Sequence, residues 1–298
     1  MNQRMKILLA YDGSSCADDA LKELHRAGLP AEAEVMIFSV AEPVSSLEAM
    51  GAGMGGFSAE VAEFDSAHRL AQARALAQQA SEGVRQHFPG WNVLAETGDG
   101  QPAAEVIRKA EEWDASLIVA GSRGLSNLSQ LLIGSVSKII ATEADCSVRI
   151  SRRSGVEQGA PGRIVIGVDG SSGSSAAVKA VAARAWPQES EVRLVTSVEP
   201  FHKYGRTPEE KFANAANTQQ PEEARLRAAG LNVSLVVEVE DPQKLLLRVA
   251  ENWEADCIFV GARKLGGFGR LMLGSVSTAI VAHAHCSVEV VRPMQARR

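Results

Sequence analysis

The chain has 298 residues, enough for two domains that each bury a core, and its 45% hydrophobic and 22% charged content is ordinary for a water-soluble globular protein. A net charge of −5 argues against a protein that holds a nucleic-acid backbone, and Asp12 cuts the N-terminal apolar run well short of a signal peptide or membrane span. Cys16, Cys146, Cys257 and Cys286 have no Cys-x-x-Cys spacing and lie in or beside apolar runs, so they read as reduced core residues of a cytoplasmic protein.

In chain order, residues 6–11 form a short apolar strand that stops at Asp12-Gly13-Ser14-Ser15 and leads into an alanine-rich helix capped by one of the serines. Strands follow at 35–40 and 92–97, with a long helix between them from residue 59 to about 87, and a helix at 102–113 opens on Pro102. A strand at 117–120 leads into a glycine loop, and a further helix and the strand 146–150 close the unit. The same plan then recurs. Residues 163–168 run into Asp169-Gly170-Ser171-Ser172; strands fall at 192–198 and 232–239, helices at 208–229 (interrupted by Pro221) and 242–253, and strands at 257–260 and 286–291. Strands alternating with helices imply parallel βαβ units. The expected fold is α/β: two tandem flavodoxin-like or Rossmann-like domains, each an open parallel five-stranded sheet flanked by helices. Domain 1 spans 1–152, the polar stretch 153–162 is a linker, and domain 2 spans 163–298.

The glycine loop is the most informative motif. Gly121-x-x-Gly124, nine residues, then Gly134-Ser135-Val136-Ser137 follows a strand and opens a helix, the arrangement of a phosphate cradle built from close backbone approach and a helix N-terminus. At an offset of 140 residues the chain repeats it as Gly261-Ala262-Arg263-Lys264 and Gly274-Ser275-Val276-Ser277. Lys264 replaces Gly124. If that position needs a positive φ, the lysine costs roughly 1–2 kcal/mol of strain; alternatively its ammonium binds a phosphate as a point charge.

These residues, together with Asp-Gly-Ser after the first strand and Val-Ala-Glu-Pro or Val-Glu-Pro after the second, resemble the universal stress protein family in its tandem form, over nearly the whole chain. The resemblance implies an ATP-binding protein in which Asp12 lies near the ribose and a phosphate-bound magnesium, and the Val40 backbone holds the adenine edge. Gly121, Gly124, Gly134, Ser135 and Val136 would line the phosphates, with Ser137 adding a hydroxyl. Asp169, Val198, Gly261, Lys264, Gly274, Ser275 and Val276 are the second-half counterparts. The function implied is a cytoplasmic ATP-binding stress protein whose nucleotide occupancy modulates conformation or assembly, with no nucleic-acid or membrane partner. The alternatives are a stress scaffold without nucleotide and an adenylating or ATP-pyrophosphatase enzyme. The richest cradle follows the fourth strand rather than the first, which disfavours the enzyme. No catalytic residue or dedicated metal cluster is evident, so any hydrolysis is expected to be slow.

Three other signals are read plainly. Gly51–Gly56 matches G-x-G-x-x-G but does not directly follow a strand, so it reads as a loop rather than a dinucleotide site. His283 and His285 suit a helix C-terminus, and Trp113 and Trp253 suit helix-end packing. Arg149 and Glu289 occupy equivalent places in the two last strands. In the family such strands pair across a twofold axis, so the two halves of one chain are expected to pair with Arg149 facing or diagonal to Glu289, a contribution of about 0.2–1 kcal/mol. Glu289 reversal would weaken that pairing and the double swap would restore it. Further homodimerisation stays open.

Overall fold

The apolar runs fold as strands buried on both faces: Ile7, Leu8 and Leu9, and likewise Ile164, Val165 and Ile166, are at most 2% exposed. The computed structural model describes residues 4–43, 59–124, 133–152, 159–198, 208–264 and 271–293. The first unit contains strands β1 (Met5–Ala10), β2 (Ala33–Ala41), β3 (Trp91–Asp99), β4 (Leu117–Gly121) and β5 (Ser147–Ser151). Its helices are α1 (Ser15–Glu23), α2 (Ala59–His87), α3 (Pro102–Trp113) and α4 (Ser135–Glu143). The second contains β6 (Arg163–Gly167), β7 (Glu191–Ser197), β8 (Asn232–Glu238), β9 (Cys257–Gly261), the short pair β10 (Arg263–Lys264) and β11 (Leu271–Met272), and β12 (Ser287–Val291). Its helices are α5 (Ser172–Ala182), α6 (Pro208–Ala228), α7 (Pro242–Asn252) and α8 (Ser275–His283).

The main strands form one ten-stranded sheet in the order β3-β2-β1-β4-β5-β12-β9-β6-β7-β8. Pairing is parallel within each half and antiparallel only where β5 meets β12. The two expected five-stranded sheets are therefore continuous across a seam. In each half the first strand lies between the second and fourth, β1 between β2 and β4 and β6 between β7 and β9, which makes a crevice at their carboxyl ends.

Local chemistry sets the helix starts. Ser14 accepts from the Ala17 N–H at 3.2 Å, and Ser171 from the Ser174 N–H at 3.1 Å. Pro102 and Pro242 stand at or near the first helical position, and Asp241 caps two N–H groups. One expectation fails: Pro221 lies inside α6 and does not end it. The helix is held to the sheet on both sides of the proline. Gln219, fully buried, donates to the Leu194 carbonyl at 3.1 Å and the Thr196 hydroxyl at 2.9 Å, and Leu226 is fully buried beyond it. That packing outweighs the one backbone hydrogen bond a proline removes.

Cys257 and Cys286 are buried, while Cys16 and Cys146 are partly covered. Burial pushes the thiol of Cys146 up to about 11 and that of Cys286 up to about 12, so both stay protonated near neutrality.

A short 3-10 turn, Leu24–Arg26, follows α1 and carries His25, which stacks on Phe88 at 4.3 Å and meets His87 edge-on at 5.7 Å. Burial and the neighbouring His87 lower the His25 pKa. Below about pH 6.5 the unfolded chain therefore binds the proton more readily, and stability falls as the pH drops. Urea midpoints measured from pH 7.5 to 5 are expected to fall less steeply in His25→Gln than in the parent.

At the seam the register is Val288↔Ile150, Glu289↔Arg149 and Val290↔Val148. The 140-residue offset maps this set onto itself, so a pseudo-twofold axis passes through the Arg149–Glu289 pair. The two side chains are opposite as expected, with Arg149 Nη1 donating to Glu289 Oε2 at 3.3 Å, but they are not a surface pair: their side chains are 0% and 1% exposed. Arg149 also donates to Glu23 through Nε at 3.0 Å and through Nη2, and Glu289 is paired with Arg184. This overturns two expectations. The pair belongs to a desolvated four-charge chain, not to the exposed cross-strand class. The double swap would also leave Glu23 beside a new glutamate and Arg184 beside a new arginine, so it is not expected to restore pairing.

Candidate functional site

The second-half crevice holds a cavity of about 240 Å³. It is lined by the apolar side chains of Val168, Val195, Leu245, Leu246 and Val260 and by the polar residues Asp169, Ser171, Ser174, Ser197, Ser275 and Ser277. Gly261, Gly274 and Val276 of the expected set also line it. The N-cap of α8 is Gly274, which offers no side-chain cap, so the first N–H groups of that helix open towards the crevice. Gly134 caps α4 in the same way, with φ −65° against −70° at Gly274. Ser135 and Ser275 are the exposed first residues of these helices.

The acidic residues hold equivalent turns. Asp12 Oδ1 accepts from the Ser14 N–H at 3.0 Å, and Asp169 Oδ1 accepts from the Ser171 N–H at 3.0 Å. A Cβ on Gly124 would stand 2.8 Å from Asp12 Oδ2, so the first-strand carboxylate and the glycine loop adjoin.

Several roles change once the geometry is known. The Cβ of Gly121 would stand 2.8 Å from the Cys16 carbonyl, and that of Gly261 would collide with the Gly173 backbone. These two glycines are fixed by the close approach of α1 and α5 to the strand ends, not by room for an oxyanion. Ser137 Oγ donates to the Gly121 carbonyl at 2.6 Å and Ser277 Oγ to the Gly261 carbonyl at 3.0 Å, so both hydroxyl protons tie strand end to helix start. Gly124 does not adopt a positive φ, and Lys264 lies in extended backbone paired with Leu271. The strain expected at Lys264 is therefore absent.

Val198 is also displaced from its expected role. The Phe38 carbonyl accepts from Tyr11 N–H at 3.0 Å, and the Val195 carbonyl from Val168 N–H at 2.9 Å, which makes Phe38 and Val195 equivalent. Ser39 Oγ and Thr196 Oγ1 then bond the Tyr11 and Val168 carbonyls, continuing the correspondence. Val40 therefore matches Ser197. Backbone groups alternate sides along a strand, so Val40 and Ser197 face the space past the end of the first strand. Val198 faces the other way and donates its N–H to the Glu238 carbonyl at 2.8 Å. Ser197, absent from the expected set, was legible from an ungapped match of FSVAEP with VTSVEP.

The crevice floors differ between halves. Phe38 stands where the second half has Val195, and Glu105 where it has Leu245. Phe38 is 1% exposed and lies against Gly98, whose Cβ would be 2.8 Å from the ring and 3.2 Å from Glu105 Oε2. Arg123 is partly covered, and His283 ends α8. Trp113 and Trp253 pack at helix ends, with Lys6 and Arg193 over their rings at 5.5 and 4.2 Å. Gly51–Gly56 lies outside the described residues. Among the described residues no helix is long and apolar enough to cross a membrane.

A repeated parallel sheet, a crevice at each switch point and uncapped helix N-termini facing them define a tandem α/β protein of the flavodoxin-like kind. The family model for the universal stress protein family matches residues 3–152 and again 161–292, and the chain belongs to that family. It is 26% identical over 295 residues to a universal stress protein of Mycolicibacterium smegmatis, covering 96% of this chain and 97% of that one. A single-domain universal stress protein of Synechocystis is 30% identical over 153 residues, 49% of this chain and 96% of its own. A universal stress protein structure from Archaeoglobus fulgidus superposes with a TM-score of 0.70 at 20% identity, covering 97% of this chain and 99% of that one.

Proposed function

We propose that this chain is a cytoplasmic binding protein for an adenine nucleotide, ATP with magnesium, whose occupancy biases conformation or assembly in a stress response. The observation that carries the reading is the second-half cavity of about 240 Å³, lined by both apolar side chains and polar residues. That volume is a little below the roughly 300–1,000 Å³ of small-molecule sites, which suits a base and sugar enclosed with phosphates left at the mouth. Val195, Leu245, Leu246 and Val260 offer a purine an apolar face. The Ser197 backbone, past the end of β6, offers donors and acceptors to the base edge, and the N-terminus of α8 offers donors to phosphate.

In the first half Val40 would take the part of Ser197, and Gly124, Gly134, Ser135 and Val136 the phosphates, but Phe38 stands where the second half has Val195, so the reading rests on the second half. Asp12 and Asp169 are the carboxylates that would hold a magnesium ion, whose charge would offset that of the phosphates. Lys264 adds a point charge to the second-half cradle, replacing the backbone of Gly124. The chain is read as a binding protein first, with any hydrolysis slow.

Calorimetric titration with Mg-ATP, on protein freed of co-purified nucleotide, tests this. Saturable binding by the second half is expected, with Lys264 acting there as a phosphate ligand. Absence of both heat and co-purified nucleotide would overturn the reading and leave a scaffold.

A further inference from the structure

The seam between the halves contains two kinds of contact, and only one kind respects the pseudo-twofold axis. The symmetric kind is a reciprocal pair of helix caps. Arg152 follows β5 and reaches across to the Val281 carbonyl at 2.6 Å and the Cys286 carbonyl at 3.3 Å. Arg292 follows β12 and reaches back to the Ala141 carbonyl at 2.6 Å and the Cys146 carbonyl at 3.2 Å. Each arginine thus meets the C-terminal carbonyls of the other half's last helix, where a cation is favoured. Ser147 and Ser287 likewise accept from the Arg292 and Arg152 N–H groups at 3.1 and 3.0 Å. Every one of these contacts would survive if two first halves, or two second halves, met instead.

The other kind would not survive. Glu23, Arg149, Glu289 and Arg184 form a chain of alternating sign across the axis, negative, positive, negative, positive, and all four side chains are at most 6% exposed. Ser151 Oγ donates to Glu23 at 2.9 Å, and Arg184 Nη1 donates to the Ala27 carbonyl at 2.7 Å. Glu23 corresponds to Ala180 in the second half, and Arg184 corresponds to Ala27 in the first, so neither half carries the other's end of the chain. Two first halves would place Arg149 against Arg149 on the axis, and two second halves Glu289 against Glu289. Close by, Arg26 pairs with Asp256 at 2.6 Å, buried, where the symmetry-related positions hold Ala183 and Ser116. Buried like charges side by side are strongly disfavoured, so the same chain that joins unlike halves rejects like ones.

We infer that this charge chain makes each molecule its own partner: it selects first-half-to-second-half pairing and excludes a second copy from joining through like halves. Both the attractive and the repulsive elements are present, as specificity requires. The inference is independent of what the crevices bind.

Complementation between two full-length chains tests it. In Arg149→Glu the seam carries three neighbouring negative charges, and in Glu289→Arg three neighbouring positive ones, so each chain alone should lose its internal pairing. Mixed, the first half of Glu289→Arg and the second half of Arg149→Glu rebuild the native order of charges. Differently tagged copies of the two variants, co-expressed, should co-purify as a 1:1 dimer at least about tenfold above two tagged copies of the parent. Dimer mass by light scattering checks the stoichiometry. Co-purification no greater than the parent's overturns the inference, as does a compact monomeric Arg149→Glu chain with the parent's melting temperature. Should the reversals be insoluble even together, the neutral chain Arg149→Gln with Glu289→Gln decides. Its tagged copies should associate more than the parent's, and strict monomers would overturn the inference.

Discussion

Val195→Phe is expected to remove the second-half component of Mg-ATP binding, weakening it by about tenfold or more, a loss of at least about 1.4 kcal/mol. The position is fixed by register: the Val195 carbonyl accepts from Val168 N–H as the Phe38 carbonyl does from Tyr11 N–H. The side chain at 195 faces the cavity beside Leu246 and Val260, and a phenyl ring there would fill the space proposed for the base. The ring enters an existing cavity and does not wedge a packed core, so the melting temperature should move by only a few degrees, about 1 kcal/mol in either direction. Separation of the two effects is the informative part. Titration calorimetry should show the second component gone while thermal melting shows the protein intact. A variant that binds as the parent does would place the ligand elsewhere. Phe38→Val is the converse experiment, and it should cost stability, because Phe38 is 1% exposed and its ring packs against Gly98.

How much of this the sequence discloses depends on whether a feature is periodic or tertiary. The strands and helices were legible because runs such as Ile164-Val165-Ile166 are buried on both faces, and because Ser14, Ser171, Pro102 and Pro242 mark helix starts by local chemistry. The repeat doubled every such signal. Pro221 misled because its penalty is local, while the forces that override it, the buried Gln219 and Leu226, act through the sheet. In the site, the glycine loops and Asp12 were legible as residue types, but their reasons were not. Gly121 is glycine because the Cys16 backbone passes against it, a contact between segments over a hundred residues apart. Val198 was misplaced by one residue because valine was matched to valine, whereas the ungapped count back from Glu-Pro and strand alternation both put Ser197 at the crevice. At the seam, Arg149 and Glu289 stood out as charges in apolar strands. Glu23 and Arg184, which end the charge chain, lie at or beyond the ends of helices whose sequence gives no sign that they are buried.

Arg149→Ala is expected to destabilise the protein by about 3–5 kcal/mol, the largest effect of any single truncation proposed for this chain. Arg149 is fully buried and supplies Nε and Nη2 to Glu23, Nη1 to Glu289 and a further contact to Cys257 Sγ at 3.1 Å. Its loss leaves Glu23 with Ser151 and Glu289 with Arg184, two carboxylates near each other in a desolvated space with one cation between them gone. Urea unfolding near neutral pH measures the cost. Replacing the whole chain of charges by apolar residues of similar volume, Glu23→Leu, Arg149→Met, Arg184→Met and Glu289→Leu, is expected to have a very different outcome. No charge is then left unpaired, and the desolvation that the four charges must overcome on folding disappears. Such replacements are commonly neutral or stabilising by about 1–4 kcal/mol. If the quadruple variant is as unstable as the single one, the charges hold the fold together. If it is stable, the sheet does not need them for strength, and their presence at the axis is explained by the choice of partner they enforce.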